Sequence, residues 1–508
     1  MVNDIHPAAN GVNGAAGDFP RARRGAALNT VIREGGAKAP VAEMLMAILT
    51  DNYTITRVPD GGVAVTCNWS PSVMIPLKGK KGGGLRSRLG ADIFALTGRS
   101  ANSEALASVL NMIEGSGQDR PRQAAFTRTG KADGSMLLDL GRDDGLTVWI
   151  QPGRWGVWNR VPVLWRRGAM TSELPVPFAP ATGSPRGGRH LFNFTSPGQW
   201  VTAVACQVAG LLYPTSTHPV EIYTADSSGA LKTATLNNMK RWADPGPNVT
   251  VPKDGKDWAV TASNCHRVAI DNVSAIPNWW SDMLCKAASG DSWASRALHT
   301  DDEVSAWNFS AVPMLDGIGL VVLRDDLADR AVRHHFRRPE WFLTDEEAES
   351  TWYREHPSML GWLLDTCASV SLLHASGRVS KPRGGRMAQF EWTLAALDAL
   401  WGSDGAGMSW YKASQAEAAS DAVHGDVLAL AITESFDKPW HGYPDELMKM
   451  IVGKLPMDDE QGKAWTVQKI GVRLPRAASA VTKLGWTMHR TDPDRNRRRS
   501  WVICPPKT

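Results

Sequence analysis

The chain has 508 residues, 43% hydrophobic and 21% charged, with a formal net charge of only +4. That length exceeds a single core and predicts three or four soluble globular domains. It holds no run of about 18 apolar residues, and its N-terminus lacks the apolar centre of a secretory leader, so a cytoplasmic protein with no membrane partner is expected.

The six cysteines, Cys67, Cys206, Cys265, Cys285, Cys367 and Cys504, are scattered without the C-x-x-C pairs of a zinc ribbon and read as reduced thiols. The basic residues are bunched, as "RARR" at 21–24, "KGKK" at 78–81 and "RNRRRS" at 495–500. Bunched charge attracts phosphate backbones better than the same charge spread evenly, although a solvated loop explains any single run equally well.

Residues 1–39 are rich in Gly, Ala, Asn and Arg without apolar period, which predicts a disordered basic arm. Residues 40–180 alternate. "VAEMLMAIL" predicts a helix, "YTITRV" and "GVAVTC" a hairpin, and "LRSRLGADIFAL" a helix with Leu85, Leu89, Ile93 and Leu96 on one face. A helix carrying Leu106, Val109, Leu110 and Ile113 follows, then the strands "SMLLDL", "LTVWI", "WGVW" and "VPVLWRR". Together these describe an N-terminal α+β domain without a catalytic constellation.

After the linker "FAPATGSPRGGRH" the text changes over 190–345. Helix "WVTAVACQVAGLL" leads to strand "PVEIYTA", a Ser/Gly loop, helix "ATLNNMKRWA", strand "RVAIDNV" ending at Asp271, and strand "AVPMLDG" ending at Asp316. Polar residues at the C-terminal ends of such strands mark an open parallel sheet with its ligand at that edge. A helical extension is expected over 346–412, from "MLGWLLDTCASVSLLH" and "RMAQFEWTLAALDALW". Residues 425–508 give three helices and a β-hairpin with an arginine-rich tip, the layout of a winged helix.

The chemistry centres on "DSSGALKT", residues 226–233. A phosphate-binding loop reads G-x-x-x-x-G-K-[ST]: backbone N–H groups surround the phosphates, the lysine contacts the outer ones and the hydroxyl binds Mg²⁺. Lys232 and Thr233 satisfy the end of the pattern, and Ser228, Gly229 and Ala230 would form the cradle. Asp226 and Leu231 stand where glycines are usual. Asp271, about forty residues on, suits a carboxylate that holds Mg²⁺ through water, and it equally suits a cap for the next helix. Asp316 marks a third strand end, and Arg330 in "LADRAV" is a candidate finger toward a neighbour's γ-phosphate.

The runs "VAIDNVSAIPNWWSDMLCKAASGDSWASRALHTDDEV" and "AVPMLDGIGLVVLRDDLADRAV" resemble the ATP-binding proteins of actinobacterial phages and integrative elements. Those are AAA+ ATPases akin to superfamily 3 and primase-associated replicative helicases. The resemblance is most specific over 269–303, and the two ends of the chain match by layout. It implies an α/β multidomain chain: the α+β domain, a central AAA+ P-loop ATPase core, the helical extension and a C-terminal winged helix. It implies ATP and Mg²⁺ as cofactors, with Lys232 and Thr233 as the Walker A pair, Asp271 as the Walker B carboxylate, and Arg330 acting in trans within a ring, a hexamer by resemblance. Lys286 to Asp301, with Arg296, would contact single-stranded DNA in the ring's channel.

Arg473, Arg476 and Lys483, with Arg495, Arg497, Arg498 and Arg499, would grip duplex DNA from the winged helix, and a solvated basic face is the plainer alternative. The sequence departs from the family at Asp226, Leu231 and Asp316, the last standing where an asparagine is usual. Two readings stay open: a helicase-like replication ATPase, and a nucleic-acid-binding or assembly protein on an inactive ATPase scaffold. A defence or regulatory ATPase with the same core is a third. No primase residues are found, so priming would fall to a separate primase or polymerase. Most of the 22 tryptophans fall at core positions of predicted helices.

Overall fold

The computed structural model describes residues 22–506 apart from 60, 78, 80–83, 180–187, 297–303, 309–310, 321–323, 383–384, 458–463, 483 and 494–497. It divides into two units, one ending at Pro177 and including Asp244–Gly246, the other holding Phe178–Ala243 and the chain from Pro247.

The expectation of a disordered arm over 1–39 is corrected for its last part, because residues Ala26–Gly35 form helix α1, while residues 1–21 lie outside the described residues. The cause is non-local. The Asp51 carboxylate, on α2 (Val41–Asn52), accepts hydrogen bonds from the N–H groups of Gly25, Ala27 and Leu28, capping α1 from another helix. Leu28 is then wholly buried. Gly25 allows the approach, since a Cβ there would collide with Asp51.

Strands β1 (Tyr53–Arg57) and β2 (Val63–Cys67) form the expected hairpin, and β3 (Ser70–Ile75) extends it. The sequence reading misses β3 because Pro71 demotes a run as a strand. Helices α3 (Leu85–Thr97) and α4 (Ser103–Ser116) bury Leu85, Leu89, Ile93, Leu106, Val109, Leu110 and Ile113 in one core with α1 and α2. Then come β4 (Ala125–Phe126), β5 (Thr129–Ala132), β6 (Ser135–Asp139), β7 (Thr147–Gln151), β8 (Arg154–Trp158) and β9 (Leu164–Trp165). They complete a mixed sheet, β1-β2-β3-β9-β4, and an antiparallel meander, β5-β6-β7-β8.

The second unit opens with α5 (Pro197–Leu212), capped by Ser196 and buried along nearly its whole length. The elements that follow are β10 (Val220–Ala225), α6 (Lys232–Ala243), α7 (Gly255–Ala262), β11 (Arg267–Ile270), α8 (Asn278–Ser289), β12 (Ser292–Arg296), β13 (Val304–Asn308), β14 (Val312–Ile318), α9 (Asp325–Ala328) and β15 (Ala331–His335). Strands β11-β14-β10-β15 form a four-stranded sheet in which every pairing is parallel, as the apolar strands with helical crossovers predict. The pair β12–β13 is a separate antiparallel hairpin.

Helix α10 (Asp345–Ala375) starts at a capping box made by Thr344 and Glu347, and α11 (Ala388–Trp401) and α12 (Ala406–Gly425) follow it. They pack against α5. Between them lies a tryptophan stack, Trp200, Trp242, Trp362 and Trp401, with successive rings about 6 Å apart. The chain ends with α13 (Val427–Thr433), β16 (Trp440–Gly442), α14 (Pro444–Ile451), α15 (Val467–Thr482), β17 (Thr487–Arg490) and β18 (Trp501–Cys504). The antiparallel sheet β16-β18-β17 and these helices share one core around Leu428, Leu447, Ile470, Leu474 and Ile503. Strand β16 is an element the sequence reading does not include.

Among the described residues no helix is long and apolar enough to cross a membrane. All six cysteines are free thiols, four of them buried.

Candidate functional site

The loop 226–231 joins the end of β10 to the start of α6, the strand-to-helix turn that a phosphate cradle requires. Its backbone bends through two left-handed residues, Gly229 at φ +78° and Leu231 at φ +54°. The second is the position where the motif carries glycine. Leu231 adopts a glycine-like backbone there and keeps its side chain, at a cost of about 1–2 kcal/mol. Among the described residues none of the N–H groups from Asp226 to Ala234 donates a hydrogen bond. Several unpaired donors at a helix N-terminus give this loop a positive end suited to an anion.

Asn193 holds the loop in place from outside. Its Nδ2 donates to the carbonyls of Ala230 and Arg337, and its backbone N–H donates to Thr235 Oγ1. The segment after β15 is thereby fixed beside the loop.

Residues from three neighbouring strands of the sheet meet at this edge. Lys232 is buried, and its Nζ donates to Thr233 Oγ1 and Asp316 Oδ1, each at 3.4 Å. Asp316 lies within β14, level with Tyr223 of β10, and is wholly buried. Its Oδ1 also accepts the backbone N–H of Asn272 at 2.9 Å, while its Oδ2 has no partner among the described residues. Asp271 follows β11 at the same level, because Ile270 pairs with Leu315, and is half-buried. Asn272 turns through φ +53°, a conformation asparagine tolerates.

A carboxylate at Asp226, where the motif carries glycine, would repel a phosphate unless it turned away. It does turn away: it is 89% exposed, with Oδ2 3.4 Å from His335 Nε2, so water screens most of its charge. Ser228 and Gly229 are exposed in the loop, and Ala230 is buried beneath it.

Arg330 is not brought to this edge. It immediately precedes β15, and its carbonyl accepts from Val220 N–H at the start of β10, so it sits at the opposite end of the parallel strands. Its guanidinium donates to the Asp326 carbonyl at 2.6 Å and to Ser289 Oγ at 3.4 Å. Within one chain it cannot reach the loop.

Lys286, on α8, pairs with Asp291 at 3.5 Å. Arg296 ends β12, on a hairpin whose tip, 297–303, lies outside the described residues. Lys483, Arg495 and Arg497 also lie outside them. On the last domain Arg473 stacks over Trp465, Arg476 is 3.8 Å from Asp426, and Arg498 is 2.8 Å from Asp445. Arg499 is exposed.

A second polar cluster lies within the unit, where Cys206, Glu221 and His334 bring their side-chain atoms within 4.8 Å of one another. The two oxygens of Glu221 are already answered, by Arg267 at 2.9 Å and the Tyr223 hydroxyl at 2.8 Å. Burial pushes the His334 imidazole down to about 3, so it is neutral, and it stacks on Trp410. Sequence reasoning misses this cluster, and it also misses Asn193, His335 and Arg338 beside the loop, because none belongs to a spaced motif. Only the buried charges in "PVEIYTA" and "HRVAID" hint at an internal pair.

A search of curated proteins finds no match. The apo structure of the NrS-1 C-terminal region aligns at 10% identity over 91% of this chain and 98% of that one, with a TM-score of 0.38. Another apo form of the same region aligns at 12% identity over the same shares, with a TM-score of 0.39. Residues 188–421, which include the whole parallel sheet and its loop, match the family described as actinomycete integrative conjugative element replication protein.

Proposed function

We propose that the chain is a DNA replication ATPase of a mobile element, built on an AAA+ core with a terminal winged helix. The observation that carries this reading is the meeting of Lys232, Thr233, Asp271 and Asp316 at the C-terminal edge of one parallel sheet, around a loop whose N–H groups are unpaired. The similarity of residues 188–421 to replication proteins of integrative conjugative elements supports the replication role.

In this reading the loop amides and Lys232 bind the phosphates of ATP, while Thr233 and Asp271 hold its Mg²⁺. The residues fit: Thr233 brings a hydroxyl and Asp271 a half-buried carboxylate to the same sheet edge, the oxygen donors that Mg²⁺ takes. Arg330, at the far end of the strands, would act on the nucleotide of an adjacent subunit in a ring, a hexamer by resemblance. The β12–β13 hairpin with Lys286 and Arg296 would track single-stranded DNA, and the terminal arginines would hold duplex.

Two observations favour a second reading, a DNA-binding or assembly protein with little hydrolysis. Lys232 is engaged by a buried carboxylate, and Leu231 stands in a glycine conformation. A steady-state ATPase assay with and without single-stranded DNA, on the natural chain and on Lys232→Ala, separates the two. Turnover that is absent, or unchanged by Lys232→Ala, sinks the ATPase reading.

A further inference from the structure

Arg338 belongs to no motif, yet it lies beside the exposed part of the loop. A Cβ built on Gly229 would lie 3.7 Å from both Cζ and Nε of Arg338. The guanidinium therefore lies directly over the left-handed turn of the loop. A Cβ at 229 would only touch it, and glycine is favoured there by the left-handed φ of +78°.

The placement is enforced. Phe336 N–H donates to the Thr224 carbonyl, continuing the β15–β10 ladder, and the Arg337 carbonyl is tied through Asn193 to Ala230. The residue after Arg337 thus starts from a fixed point beside the loop. Arg338 is exposed, and among the described residues its only contact of note is with the Phe342 ring, 5.7 Å away. It makes no hydrogen bond or ion pair there, although the carboxylate of Asp226 is nearby on the same loop and pairs with His335 instead. An arginine with an uncommitted five-donor fork, next to unpaired backbone N–H groups, has the chemistry of a phosphate clamp.

We infer that Arg338 grips the polyphosphate of a bound nucleotide from the solvent side, in the same chain, opposite Lys232, which approaches from the buried side. This inference rests on the nucleotide reading of the loop. It makes Arg338 a binding residue for di- and triphosphates and leaves monophosphates, which do not reach along the loop, indifferent to it.

The test is calorimetric titration of Mg·ATP, Mg·ADP and AMP into the natural chain, Arg338→Ala, Arg338→Lys and Lys232→Ala, with circular dichroism confirming fold. Arg338→Ala is expected to weaken ATP and ADP roughly tenfold to hundredfold, with Arg338→Lys recovering part of the loss, while AMP binding stays unchanged. Equal ATP affinity in Arg338→Ala and the natural chain, with binding lost in Lys232→Ala, overturns the clamp and leaves the nucleotide reading standing. No ATP binding by the natural chain overturns both.

Discussion

Lys232 Nζ lies 3.4 Å from Asp316 Oδ1, and the carboxylate is wholly buried. A lysine that must serve a phosphate is thus already paired, and a ligand has to compete for it. Asp316→Asn removes the competing charge and keeps an oxygen for the Asn272 N–H. It is expected to raise ATP affinity by about 1–2 kcal/mol, roughly five- to thirtyfold. Isothermal titration reads it directly. Weaker binding in this variant would mean that Asp316 helps hold the nucleotide's cation.

Asp226 and Leu231, the two departures from the loop pattern, are not equivalent in space. Asp226 is 89% exposed and next to His335, so Asp226→Gly should change ATP affinity by less than about twofold. Leu231 holds φ +54° inside the turn, so Leu231→Gly relieves strain where the backbone must approach a phosphate. A gain of roughly threefold to tenfold is expected from Leu231→Gly alone. The reverse ranking would show that the exposed carboxylate dominates.

The legible parts of this chain were those whose cause is local. The strand "PVEIYTA", the loop and the helix after it, and the strand that stops just before Asp271 show their period in the sequence, whereas β14 runs two residues past Asp316, its expected end. Asp51 capping α1 was not legible, because the helix and its cap are separated by more than a helix length of chain. The turning out of Asp226 depends on His335, more than one hundred residues away, and the ion pair between Glu221 and Arg267 joins two strands that each look merely apolar. Sequence patterns record which face an element buries, and not which distant charge meets it there.

Arg267 and Glu221 are both wholly buried and 2.9 Å apart. Burial raises the Glu221 pKa, and Arg267 opposes that rise. Arg267→Met would strand the carboxylate in the sheet's core and is expected to cost about 3–5 kcal/mol. Adding Glu221→Gln should restore much of it. Urea denaturation of the single and double variants measures the difference, and additive losses would mean the two residues are not coupled.

Three histidines of the second unit are buried neutral: burial pushes His334 down to about 3, and His218 and His356 down to about 4. In the unfolded chain each titrates near 6.5, so below that pH the unfolded state binds protons that the folded state refuses. Stability is therefore complete above about pH 6.5 and falls as pH drops toward 4. Each group contributes a slope approaching 1.4 kcal/mol per pH unit, so the three together should remove about 3–4 kcal/mol between pH 6 and 5. His334→Phe should flatten that slope by about one third. An unchanged slope would show that His334 is protonated in the folded protein.

The arginines of the last domain differ in what already faces them. Arg498 is 2.8 Å from Asp445 and lies over the Tyr443 ring, while Arg499 is exposed. If this face binds duplex DNA, Arg499→Ala should weaken binding severalfold and reduce the slope of log affinity against log salt by about one. Asp445→Asn should do the opposite, strengthening binding, because it removes a carboxylate that answers Arg498 and repels phosphate. Fluorescence anisotropy between about 50 and 200 mM salt distinguishes the two signs. Affinity that does not fall over that range would remove the basic face from the interface, whatever the two variants do.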